Sequence, residues 1–203
     1  MIRRTGSRAR ALATMLALSI AASLAQGQSP LRYWTDAIDS RFAMSQHTEV
    51  ELGPDGALRS TRQTGQVRGQ NTNIEITYHD GRAKGSATTP SAAGLVTTAI
   101  DTTIGPQAID DNLITALLPA LEWAPGASFT IPVFLSGKGY EQSITLTVKG
   151  TEKLTVPAGA FDVYRVDLSG GQAPVAMYVT TEAPRRLVKI APQGTPLEFV
   201  LAK

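Results

Sequence analysis

Few residues in this chain have the type and spacing to do chemistry. The two histidines, His47 and His79, lie far apart, and neither belongs to an HxH or HExxH pattern. Zinc ligation by a paired-histidine motif is therefore not indicated. Ser136 stands in Leu-Ser-Gly-Lys-Gly and Ser169 in Leu-Ser-Gly-Gly. Neither sits in the Gly-x-Ser-x-Gly elbow that exposes a nucleophilic serine, and both read as turn serines. Asp101-Thr102-Thr103 lacks the glycine of an aspartic-protease motif and has no second copy with which to form a carboxylate dyad. Asp110-Asp111 lacks the glycine and closing glutamate of a calcium loop and suits the start of a helix better. Gly137-Lys138-Gly139 lacks P-loop spacing. The absence of cysteine excludes thiol catalysis, Fe–S clusters and disulfides. The expectation is a non-enzyme with no cofactor and no metal. Triads are recognised by geometry, so His79, Asp80 and a serine converging in space would revive an enzyme.

What remains is an apolar constellation. Leu117, Leu118 and Leu121 fall on one stripe of a helix, and Phe129, Ile131, Val133 and Leu135 alternate along a strand. With Tyr140, Met177 and Tyr178 they make a candidate lining for a hydrophobic ligand. The same residues also suit an ordinary core, because pockets are themselves mostly apolar. Methionine fits irregular gaps in either case.

The elements that would carry these residues are mostly strands. Alternation over 48–52 ends at Gly53-Pro54-Asp55-Gly56, a turn cluster. Residues 57–68 are polar and read as an exposed edge strand or loop. Ile74, Ile76 and Tyr78 share a face, and His79-Asp80-Gly81-Arg82 reads as a hairpin turn. Residues 83–88 are its return strand, and 91–104 a further strand or pair. A helix is expected over 110–118, capped by Asp110 or Asp111 and stopped by Pro119. Strands follow at 128–135, where Pro132 marks an edge or irregularity, and at 140–149, with Gly150 marking a bulge. The turn Val156-Pro157-Ala158-Gly159-Ala160-Phe161 leads into 161–168, and further strands end near Leu201. Residues 31–42 suit either a short amphipathic helix, through Leu31, Trp34, Ile38 and Phe42, or an irregular arm.

The N-terminus reads differently. Arg3, Arg4, Arg8 and Arg10 precede an apolar stretch that ends in Ser23-Leu24-Ala25. That is the pattern of a secretory signal cleaved near Ala25; an uncleaved anchor is the alternative, although the stretch is short for a span. Across the chain 19 Lys+Arg face 17 Asp+Glu; without the four signal arginines 15 face 17, a net charge of −2. Such a chain has no electrostatic footprint for nucleic acid, and no transmembrane segment is expected after cleavage. About 178 residues then remain, enough for a core without staples.

Six pieces in order carry a resemblance: Leu118-Pro119; Pro125-Gly126 with Phe129; Val148-Lys149-Gly150-Thr151-Glu152; 156–161; Tyr164-Arg165-Val166; and 184–189. Residues 101–200 resemble a bacterial domain family of unknown function found in exported proteins. That family is similar in fold to the outer-membrane lipoprotein carriers, in which a curved antiparallel sheet wraps a helical plug. The resemblance implies an apolar concave face for an acyl chain and brings no catalytic residues, and fold likeness alone does not establish function.

The reading is therefore an all-β, mainly antiparallel chain, with a curved meander or half-barrel sheet wrapped around one short helix. It comprises a signal peptide (1–25), a linker or short N-terminal helix (26–45) and one antiparallel β domain (46–203). It is expected in the periplasm or secreted, binding a hydrophobic small molecule or lipid. The alternative is an accessory module that binds an envelope protein through a sheet edge, for which the polar 59–68 segment is a candidate.

Overall fold

Left-handed two-residue turns fold the first half of the chain into a meander. In the computed structural model, Asp80 and Gly81 have φ of 49° and 70°, and Arg68 and Gly69 have φ of 52° and 74°. Two successive positive φ values make the turn whose twist matches that of paired strands. The Asp-Gly turn is the one expected between His79 and Arg82, which face each other across it. The Arg-Gly turn between Val67 and Gln70 carries a weaker sequence signal.

The structure describes residues 31–39, 44–171 and 173–202. The signal peptide expected over 1–25, with its cleavage near Ala25, lies outside them. Strands β1 (Leu31–Asp39), β2 (Met44–Leu52), β3 (Leu58–Val67), β4 (Gln70–His79), β5 (Arg82–Ser91) and β6 (Gly94–Thr103) pair in sequence order in one antiparallel sheet. The other strands are β7 (Ile109–Asp110), β8 (Ser128–Leu135), β9 (Tyr140–Val156), β10 (Gly159–Ser169), β11 (Val175–Thr180), β12 (Leu187–Pro192) and β13 (Phe199–Val200). They form a second sheet in the order β13-β12-β11-β10-β9-β8-β7, curled as a half-barrel. Among the described residues only the short β7–β8 pair is parallel. Among the described residues the all-β, mainly antiparallel class with one short α-helix is thus observed.

Three local expectations change. Residues 31–39 form a strand in register with β2, not a helix: the apolar residues spaced for a helix also suit a paired strand, and pairing decides. Residues 58–67 form an interior strand with neighbours on both sides. The segment is polar because this sheet is open to solvent on one face, so its arginines do not mark a free edge. The helix begins as a 3-10 turn (Asp111–Leu113) and continues as α1 (Ile114–Ala120), carrying Pro119 in its last turn. Proline there removes a single hydrogen bond from a helix that is ending anyway. Pro132 lies where β8 is unpaired on one side, since β7 reaches only Val133 and Phe134.

The β domain expected over 46–203 is organised as two compact units. The first takes residues up to 113 together with 133–141; the second takes 114–132 and 142–203. In the first, Ile74, Ile76 and Tyr78 of β4 alternate inward and pack with Ala83, Ala87, Ile100 and Phe134. In the second, α1 buries Ile114, Leu117 and Leu118 and packs on β11 and β12.

The long β9–β10 hairpin changes its buried face partway along. Val148 pairs with Val166 and Gly150 with Arg165, leaving Lys149 as the extra residue of a bulge. Before it, Leu146, Val148, Val166 and Leu168 are buried. Beyond it, Val156 and Val163 form a cluster with Val188, against which Phe161 and Tyr178 pack. An inserted residue reverses which side chains meet across the ladder, so β10 buries apolar groups on both of its faces.

Candidate functional site

The ten residues expected to line a ligand face divide between the units. Val133, Leu135 and Tyr140 belong to the first; Leu117, Leu118, Leu121, Phe129, Ile131, Met177 and Tyr178 belong to the second. In the first, Val133 is fully buried, Leu135 half-buried and Tyr140 exposed. Phe134, on the opposite side of the strand from the expected row, is also fully buried and meets Tyr78 edge-to-face at 5.9 Å. The alternation of Phe129, Ile131, Val133 and Leu135 drew attention to one face of β8, while the strand end in fact buries both.

In the second unit, Leu117, Leu118 and Leu121 are buried, as is Met177. Phe129 and Ile131 are only half-buried. Trp123, which the sequence reading did not single out, joins them. Its indole Nε1 donates to the Leu118 carbonyl at 2.8 Å, and its ring meets Phe129 edge-to-face at 5.6 Å. Arg185 Nη1 donates to the Leu121 carbonyl at 2.8 Å, occupying a carbonyl that the helix end leaves without an intrahelical partner.

Met177 and Tyr178 do not share a face. Met177 opposes Val166 and Ile190, whereas Tyr178 opposes Arg165 and Lys189, as neighbours in a strand must. The Lys189 ammonium lies 5.6 Å from the Tyr178 ring centre. Tyr178 therefore leaves the candidate row.

The densest polar chemistry lies in the first unit, where the sequence suggested only a helix cap. Asp110 is fully buried. Its Oδ2 accepts from Thr61 Oγ1 at 2.8 Å and from the Tyr78 hydroxyl. Its Oδ1 accepts from the backbone N and the side-chain Nδ2 of Asn112, both at 2.8 Å. The backbone bond is the expected cap. Asp111 Oδ1 accepts from Ser136 N at 3.2 Å and Ser136 Oγ at 2.9 Å. Gln63 Nε2 extends the network by donating to Thr48 Oγ1 at 2.9 Å and Asn112 Oδ1 at 3.3 Å. Ser136, read as a turn serine, is fully buried, with its hydroxyl donating a hydrogen bond to a carboxylate from a distant segment.

Burial, then the neighbouring Asp110 charge, pushes the Asp111 carboxyl up to about 7. Burial, with Asp110 second, pushes the Tyr78 hydroxyl far above the usual phenol range, so it stays protonated as a donor. The hydrogen bonds tie β3, β4, β7 and the β8–β9 turn together.

The other chemical candidates are surface groups. His47 and His79 are exposed and lie on different strands, and His79 Nδ1 sits 2.9 Å from Asp80 at the hairpin tip. Asp101 pairs with Arg82, whose hydrogen bond holds the carboxyl below its ordinary value. Among the described residues no three His, Asp or Glu side chains gather to hold a metal ion, and no helix is long and apolar enough to cross a membrane. A groove of about 390 Å3 is lined by Thr151, Glu152, Lys153, Asp162 and Thr181.

The profile of one family, described as protein of unknown function (DUF3108), matches residues 32–200. The chain belongs to that family. The DUF3108 match begins within β1 and ends in β13, so both sheets are part of it. No curated protein and no solved structure matches the chain.

Proposed function

We propose that this chain is a non-catalytic binding protein of the bacterial envelope, exported by its N-terminal segment. In this reading it takes a lipid or acyl chain on the apolar face of the half-barrel sheet. The likeness to lipoprotein carriers stated from the sequence motifs points the same way. One observation carries the reading: Phe129 and Ile131 of β8 stay half-exposed while Phe129 touches Trp123, which is bonded to helix α1. An apolar row thus emerges beside a helix only seven residues long. A ligand laid along it gains about 25 cal/mol for each Å2 of apolar surface it removes from water.

Mass spectrometry of protein purified from periplasm without detergent, run natively and after organic extraction, tests this. A co-purified lipid in stoichiometric amount, lost in Phe129→Ser at unchanged secondary structure, is the expected result. A clean protein mass together with no uptake of an added fatty acid would overturn it.

A second reading, binding through a sheet edge, is favoured by a separate observation. Strand β6 ends the six-stranded sheet with Leu95 and Val96 each more than 40% exposed.

A further inference from the structure

Strand β6 is an edge without protection. It pairs with β5 in unbroken register over all ten residues, from Gly94 opposite Ser91 to Thr103 opposite Arg82. Among the described residues no strand pairs with its other side. Leu95, Val96, Thr97, Thr98 and Ala99 are all exposed in sequence, although alternate members point to opposite faces of the sheet. Folded proteins guard such edges with charges, prolines, bulges or short strands. β6 has none of these over 94–100: from Gly85 to Ile100 the chain contains no Asp, Glu, Lys or Arg, and the β5–β6 ladder carries no bulge.

We propose that this edge is covered by a second copy of the same chain, β6 pairing antiparallel with β6 about a two-fold axis normal to the sheet. The proposal rests on the edge alone and is independent of the ligand reading. Residues directly opposed in a sheet share a face, and a two-fold normal to the sheet preserves faces. One residue must therefore oppose its own copy. The exposed run selects Thr97 as that residue. Thr97 then faces Thr97 of the second copy, Val96 faces Thr98, and Leu95 faces Ala99. The five exposed residues are paired entirely among themselves, in apolar and threonine pairs of the kind that stabilise sheets. Asp101, held by Arg82, falls beyond them opposite Ala93, so no like charges meet. This lack of any charge to repel an identical strand favours a second copy over a partner chosen by electrostatics.

A single strand-to-strand contact lies at the small end of specific interfaces, so the dimer dissociates on dilution. Sedimentation of the exported full chain at about 100 µM, well above a micromolar Kd, should show dimer that dissociates into monomer on dilution. Thr97→Lys places two like charges at the axis and should remove the dimer without shifting the melting temperature read at a dilution where wild type is monomeric. Mixing Thr97→Lys with Thr97→Glu should restore it. The chain has no cysteine, which allows a test of register: Thr97→Cys should give an oxidised, disulfide-linked dimer, and Leu95→Cys should not. Wild type that stays monomeric at that concentration, or a dimer that survives Thr97→Lys, overturns the proposal. A monomer that instead binds an extended peptide along β6 does the same, by assigning the edge to a different chain.

Discussion

The Thr61 hydroxyl donates to the Asp110 carboxylate at 2.8 Å, joining a residue of the six-stranded sheet to one 49 positions later. Both are fully buried. A hydrogen bond to a buried charge contributes about 1.5–3 kcal/mol. Thr61→Val keeps the shape and removes the donor, so the unfolding free energy should fall by that amount and the urea midpoint with it. An unchanged midpoint would show that the bond adds nothing to stability.

Asp111 gives the chain an unusual pH dependence. Its folded value, about 7, lies above its ordinary value of 3.8. Between those two values the folded chain keeps a proton that the unfolded chain has released. Stability from this group is therefore greatest near the acid end and is lost as pH rises toward about 7. Asp101 shifts the opposite way and acts only at the acid end, where its own carboxyl titrates. Melting temperatures from pH 5 to pH 8 should decline in wild type and stay flatter in Asp111→Asn. Equal slopes would remove Asp111 as the cause.

Leu118 is fully buried on α1. Leu118→Ala leaves a cavity against the half-barrel sheet and should cost about 2–5 kcal/mol. Chemical denaturation reads this directly, and a loss under 1 kcal/mol, below the range for buried leucine, would mean the helix is not a packed plug.

Gly159 closes the β9–β10 turn with φ of 142°. That backbone region is essentially reserved for glycine, and a side chain there costs about 1–3 kcal/mol. An added Cβ would meet Phe161 only at ordinary contact distance, so the cost of Gly159→Val is in the backbone. Gly159→Ala should then destabilise nearly as much as Gly159→Val, and a large gap between the two would point to crowding instead.

The parts of the fold legible in sequence are those set by neighbours in the chain. The Asp80-Gly81 turn, the alternation of Ile74, Ile76 and Tyr78, the Ile114–Leu118 stripe and the bulge beside Gly150 all follow from local chemistry. What sequence left open is set by distant partners. The 58–67 strand is polar because one face meets water, and its place inside the sheet comes from the strands on either side. Ser136 looks like any turn serine until its hydroxyl donates a hydrogen bond to the Asp111 carboxylate. Phe134 is out of phase with the apolar row of β8 because the strand end packs on β4. Of the candidate site, the helix leucines and Met177 are buried. Tyr178 was misplaced because a single residue step in a strand changes sides, and Trp123 was overlooked because it follows the helix rather than lying on its stripe.

The first unit is discontinuous: residues 133–141 belong to it, yet they are made after residues 114–132 of the second. Synthesis runs from the N-terminus, so the six-stranded meander, built from local hairpins, has every strand available before Phe134 and Ser136 exist. Until they arrive, the inward face of Ile74, Ile76 and Ile100 lacks the Phe134 ring, and Asp111 lacks the two Ser136 donors. Local hairpins form quickly and long-range contacts slowly. Completion of the first unit is therefore tied to folding of the chain that interrupts it, and a nascent chain that stalls before residue 133 presents an open, aggregation-prone apolar sheet.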